Sequence, residues 1–157
     1  TGGAGYIGSN LADRLLQEGY DVWVLDDLSQ GKIENVAHNL QKDPFHFVRG
    51  SILDKELVGR IVGQVDVIYH LAAVVGVHYV VRNPLKSLIV NVRGTENVLE
   101  QAHRYGRKTL IASSSEVYGK SETVPLSEEN DRILGPISVS RWSYSDAKAI
   151  DEYLALA

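Results

Sequence analysis

The stretch that decides the fold is Thr1-Gly2-Gly3-Ala4-Gly5-Tyr6-Ile7-Gly8, which runs directly into an amphipathic segment from Ile7 to Glu18. It satisfies G-x-G-x-x-G counted from Gly3 and G-x-x-G-x-x-G counted from Gly2. Glycines at these places let the backbone turn sharply and come close to a pyrophosphate with no Cβ between them. The diphosphate then faces the N–H groups and the positive end of the following helix. A glycine pattern alone is also what a plain tight turn shows. Here an apolar run from Tyr20 to Leu25 follows, and Asp26 stands at its end, 18 residues after Gly8. That is close to the spacing of the acid that binds an adenosine ribose. An anionic Asp26 accepts from ribose hydroxyls and repels a 2′-phosphate, so the cofactor predicted is NAD rather than NADP. The plainer alternative for Asp26 is a helix or turn cap.

Outward from this unit the pattern repeats. Short β-branched runs at Phe45 to Val48, Asp66 to Leu71 and Lys108 to Ala112 predict strands. Helices are predicted from about Asp54, from Pro84 as one long element, and from about Trp142 to the end of the chain. Alternating strands and helices predict an α/β Rossmann-type domain with a doubly wound parallel sheet. From Gly119 to Ser140 there is no periodicity, and a loop that long in a compact domain is usually functional. The 157 residues suit one domain, at 44% hydrophobic, 23% charged and net charge −4. No basic block is present, which argues against nucleic acid or an anionic membrane as partner. No apolar run reaches the length of a membrane span. With no cysteine, disulfides and thiolate sites are excluded, and a cytoplasmic setting is expected. The five histidines show no ligand spacing, so no metal is expected.

Two further clusters carry chemistry. Tyr144 and Lys148 lie four apart on a predicted helix, so both project from one face. A phenol, with its ordinary pKa of about 10, is a poor base near neutrality. A neighbouring ammonium, helped by the positive nicotinamide ring, favours the phenolate, and Tyr144 could then take a proton from a sugar hydroxyl. A Tyr–Lys pair at this spacing is otherwise a solvated helix face. Ser113-Ser114-Ser115-Glu116 follows the last predicted strand, at the sheet edge where α/β domains bind ligands. There Ser114 can donate to a substrate oxygen and Glu116 offers an acid/base group. Capping of a turn is the alternative for the serines.

At these residues the chain resembles the extended short-chain dehydrogenases, the NAD-dependent epimerase/dehydratase family. TGGAGYIGS (1–9), VLDDLS (24–29), IYHLAA (68–73), NVRGTENVLE (91–100), SSSEVYG (113–119) and YSDAK (144–148) occur in the family's order and spacing along the whole chain. The resemblance implies that Tyr144 is the general base, that Lys148 binds the nicotinamide ribose and tunes Tyr144, and that Ser114 bonds the reacting oxygen. It implies that Gly2, Gly5, Tyr6, Ile7 and Gly8 hold the pyrophosphate, and that Asp26 and Asp27 hold the adenosine ribose. Ser51 and Ile52 would flank adenine, while Leu71, Ala72, Ala73 and Asn91 would line the cofactor groove. Members oxidise C4 of a nucleotide-linked hexose, act on the 4-keto sugar and return the hydride.

Ser114-Ser115-Glu116 resembles the S/T-S-E of UDP-glucuronate decarboxylases, and the stretch from Gly135 to Ser145 resembles a bacterial decarboxylase domain of that kind. So does Arg82-Asn83-Pro84-Leu85. UDP-glucuronate decarboxylation is therefore expected ahead of UDP-sugar 4-epimerisation, with a dinucleotide-binding module that lacks chemistry as the distant alternative. Ser51 departs from the adenine-binding Asp of many members, and Val75 from the Lys of UDP-galactose 4-epimerases. A homodimer is expected by resemblance, packed through the helices around Pro84 to Tyr105 and Trp142 to Ala157. The family pattern also predicts that the chain is a partial NAD-binding domain, with its central strand ahead of Thr1 and its last strand and substrate lobe beyond Ala157.

Overall fold

The structure is a computed structural model describing residues 1–157. The glycine loop feeds α1 (Tyr6–Gln17), and Gly19, at φ +85°, turns the chain back into β1 (Val22–Asp26). Then come β2 (Phe45–Arg49), α2 (Lys55–Val62) and β3 (Val67–His70). Asp54 caps α2, its carboxylate accepting the Leu57 N–H at 3.0 Å. β1 and β2 pair in parallel from Val22–Phe45 to Asp26–Arg49. β3 and β4 (Lys108–Ile111) pair in parallel from Val67–Lys108 to His70–Ile111. The strands are those expected, with bounds moved by one or two residues.

The helix expected from Pro84 is interrupted. It is built as α4 (Pro84–Leu88), a π-helical turn over Ile89–Arg93 and α5 (Gly94–Tyr105). A single π turn inside an α-helix often marks a functional position. Gly94 allows the close approach there, since a Cβ at this place would run into the Ile52 side chain. The sequence pattern missed α3 (Val77–Arg82), because three valines in six residues carry little helix propensity. α6 (Trp142–Leu156) is where periodicity placed it.

Two apolar clusters hold the domain. Leu25, Ile52, Val58, Val62, Ile68, Val98 and Ala102 pack α2 and α5 against the strands. Ala12, Val22, Val24, Val36 and Phe45 pack α1 onto β1 and β2. The two strand pairs do not hydrogen-bond to each other. Between them lies a slot of about 540 Å³, lined largely by apolar side chains including Leu15, Val24, Ile68 and Val98. Thr1 and Gly2 sit at its end and touch both pairs. The Thr1 amino group donates to the Tyr69 carbonyl at 2.8 Å, and the Gly2 N–H donates to the Leu25 carbonyl at 2.9 Å. The slot runs between β1 and β3, with Val22 to Leu25 on one side and Val67 to Tyr69 on the other. No helix is long and apolar enough to cross a membrane.

The loop from Gly119 to Ser140 is anchored where it leaves the strand end. Lys120 N–H donates to the Ile133 carbonyl at 2.7 Å, Ile133 N–H donates to the Tyr118 carbonyl at 3.2 Å, and Arg132 Nε donates to the Val117 carbonyl at 3.0 Å.

Candidate active site and cofactor groove

The glycine loop has the shape that its sequence predicts. Gly2 adopts φ +74°, and a Cβ there would lie 2.6 Å from the Ala72 nitrogen. A Cβ on Gly8 would run into the Gly2 carbonyl oxygen. Gly5 is the N-terminal flank of α1, and no acidic side chain occupies the first turn. Tyr6 and Ile7 open the helix with their side chains in solvent, so their N–H groups are among the donors that a helix leaves unsatisfied. The closely wrapped loop, the free donors and a first helical turn without an acidic side chain fit a diphosphate.

Asp26 is buried, with both carboxylate oxygens on backbone. Oδ2 accepts the Ala4 N–H at 2.9 Å and Oδ1 accepts the Leu28 N–H at 2.8 Å. The capping alternative and the ribose reading thus coexist, because each oxygen keeps a further lone pair. The tie also holds Leu28 in the left-handed region, at φ +61°. Asp27 is exposed and accepts the Ser29 N–H at 2.8 Å.

The remaining groove residues divide by what their side chains do. Ser51 Oγ accepts the Leu53 N–H at 3.2 Å. Ile52 is a core residue, leaving chiefly its backbone edge for a ligand, and its carbonyl accepts from Asn97 at 2.9 Å. Leu71, Ala72 and Ala73 follow β3 and are half-buried. Asn91, 1% exposed within the π turn, spends its amide on Val74: Oδ1 accepts the Val74 N–H at 2.7 Å and Nδ2 donates to the Val74 carbonyl at 3.1 Å. Its reach toward the groove therefore runs through the segment that it pins.

The catalytic candidates converge. Ser114, Glu116 and Tyr144 line one pocket of about 180 Å³, with Val75, Gly76, Val77, Val80 and Arg141 as the other lining residues. Ser114 caps the short helical turn after β4, its Oγ accepting the Glu116 N–H at 3.2 Å. That bond uses a lone pair, so the hydroxyl proton remains free to donate. Lys148 lies one turn below Tyr144 and is 3% exposed.

Two kinds of influence oppose each other at the Tyr144 phenol. Burial, first, holds the phenol above its ordinary value; the Glu116 and Asp151 carboxylates push the same way, and the Ser114 hydroxyl opposes them. One of these carboxylates, Asp151, stands on the next turn of α6. Lys148 Nζ donates to Asp151 Oδ2 at 2.9 Å, both side chains are buried, and the ammonium charge is compensated. Asp151 and Arg141 are the site residues that the motifs did not single out. Yet positions 141, 144, 148 and 151 recur at three- and four-residue steps, which places them on one helix face.

The chain is 41% identical to a UDP-N-acetyl-alpha-D-glucosaminuronate decarboxylase of Bacillus cytotoxicus, over 99% of this chain and 48% of that protein. It is 42% identical to a UDP-glucose 4-epimerase of Mycolicibacterium smegmatis, over 82% of this chain and 42% of that protein. The solved structure of WbmG from Bordetella bronchiseptica, in complex with NAD and UDP, superposes with a TM-score of 0.85 at 26% identity, over 99% of this chain and 47% of that one. The chain thus spans about half the length of these relatives. The model of the GDP-mannose 4,6 dehydratase family matches residues 1–157, and the chain belongs to that family of NAD-dependent epimerases and dehydratases.

Proposed function

We propose that the protein is an NAD-dependent enzyme acting on a UDP-uronate at C4, with UDP-glucuronate decarboxylation as its reaction. The observation that carries this reading is the shared pocket of Ser114, Glu116, Tyr144 and Arg141. Glycine loop, Asp26 and groove fit NAD, which when bound supplies the hydride acceptor for C4. In the reaction Tyr144 takes the proton of the C4 hydroxyl and Ser114 donates a hydrogen bond to the same oxygen. The oxidised sugar is a β-keto acid. Breaking its C5–carboxylate bond releases CO2 and leaves the electron pair delocalised onto the C4 oxygen. What the protein adds is orientation and a proton for C5, and Glu116 is the acid in reach of that side of the pocket. Arg141 forms no salt bridge with a protein carboxylate, so its guanidinium is available to a substrate carboxylate.

UDP-sugar 4-epimerisation is the second reading, favoured by the similarity to the mycobacterial epimerase. It needs room for the 4-keto sugar to present its other face, and neither Glu116 nor Arg141. A module without chemistry is disfavoured because Ser114, Tyr144 and Lys148 are all present and assembled. The substrate lobe, a homodimer through α4 to α6 and a cytoplasmic location belong to the same proposal. The direct test of the base is Tyr144→Phe in the full-length protein, which removes one oxygen. Turnover should fall roughly 10²–10⁴-fold with NAD still bound. Near-normal turnover would assign the base elsewhere.

A further inference from the structure

We propose that Asp151 is a positioning residue of this site, a buried counter-ion that fixes the Lys148 ammonium and thereby sets the pH at which Tyr144 becomes a base. The proposal rests on the reading of Tyr144 as that base. Asp151 is 0% exposed and Lys148 is 3% exposed, and their 2.9 Å contact is a buried ion pair on the face that carries Tyr144. A buried pair of this kind contributes little to stability against an apolar replacement, so its presence beside a catalytic group points to another use.

Asp151 Oδ1 makes no well-formed hydrogen bond, although the Thr95 hydroxyl lies beside it. Thr95 Oγ1 in turn hydrogen-bonds His70 Nε2 at 3.0 Å, and His70 Nδ1 hydrogen-bonds Thr1 Oγ1 at 2.7 Å. The charged and titratable groups facing the pair are Tyr144 and Glu152 on α6, Glu116 after β4 and His70 from β3, with Arg141 in the pocket that Tyr144 lines. Burial keeps His70 neutral, so Asp151 is the carboxylate in direct contact with Lys148. Lys148 therefore reaches Tyr144 as half of a neutral pair. Cancelling the Asp151 charge exposes the phenol to an uncompensated cation, which favours phenolate.

The experiment is the single-turnover rate of C4 oxidation against pH in the full-length enzyme, with UDP-glucuronate. Asp151→Asn, nearly isosteric, should move the limb on which Tyr144 deprotonates to lower pH by about one unit. Asp151→Glu, which keeps the charge, should retain the wild-type limb. If Asp151→Asn does not fold, Asp151→Ser leaves room for a water on Lys148 and carries the same expected shift. An unmoved limb in a folded neutral variant overturns the proposal. Failure of both neutral variants to fold overturns it too, by assigning the pair to stability alone. If Tyr144→Phe keeps turnover, the reading of the base itself has failed, an outcome distinct from either.

Discussion

The Asn91 amide closes a two-bond clasp on the Val74 backbone, accepting its N–H at 2.7 Å and donating to its carbonyl at 3.1 Å. This links the π turn between α4 and α5 to the segment that follows β3. Val75, Gly76, Val77 and Val80, one wall of the catalytic pocket, begin at the next residue. Asn91→Ala should therefore act twice. It strands a buried N–H and carbonyl, at a cost of about 2–4 kcal/mol in urea denaturation of the full-length protein. It should also raise KM for the UDP-sugar, since the released wall lines the pocket proposed for the sugar. Stability and KM both at wild-type values would show that the clasp has no part in the site.

Gly8→Ala tests the phosphate loop. The added Cβ meets the Gly2 carbonyl, a backbone atom that cannot move aside without opening the loop. NAD affinity measured by calorimetry should fall by about tenfold or more, the equivalent of ~1.4 kcal/mol. In the wild-type protein the same measurement should give tighter binding of NAD than of NADP, because Asp26 repels a 2′-phosphate. Tighter binding of NADP would remove that role from Asp26.

His70 gives the protein an acid sensitivity of its own. Burial, first, and then neighbouring positive charge depress its pKa from 6.5 to about 3. Below pH 6.5 the unfolded chain takes up a proton that the folded one refuses. The stabilisation is complete above that pH and is lost as pH falls toward 3, with a slope approaching about 1.4 kcal/mol per unit. Between pH 6.5 and pH 5 the wild type should lose about 2 kcal/mol more than His70→Gln, read from urea midpoints. Equal losses in the two proteins would mean that His70 protonates in the folded state.

Glu116 separates decarboxylation from epimerisation. If it delivers the proton at C5, Glu116→Gln slows the step that follows CO2 loss, so CO2 is released faster than UDP-pentose forms, read by CO2 trapping and mass spectrometry. A Glu that only shapes the turn after β4 would lower stability and leave the product unchanged.

Much of this was legible in the sequence because local chemistry dictated it. The glycine loop, the four strands and α6 follow from side-chain period and from backbone positions that only glycine fills, as at Gly2 and Gly8. The convergence of Ser114, Glu116 and Tyr144 was reachable from motifs at strand and helix ends. What was not legible depends on tertiary packing. The π turn at Ile89–Arg93 is fixed by the fit of Gly94 over Ile52 and by Asn91 on Val74, neither of which has a local signature. α3 is a short helix of poor helix formers between Gly76 and Asn83. The burial that raises the Tyr144 phenol and the pairing of Lys148 with Asp151 are likewise products of the fold. Spacing put the carboxylate on the right face, but its burial could be read only from the fold.

The most direct test of the account is the product formed by the full-length protein from UDP-glucuronate, followed by CO2 release and by the identity of the sugar nucleotide. Decarboxylation gives CO2 together with a UDP-pentose or its 4-keto form in equal amount. UDP-galacturonate released without CO2 would contradict it and establish 4-epimerisation as the reaction.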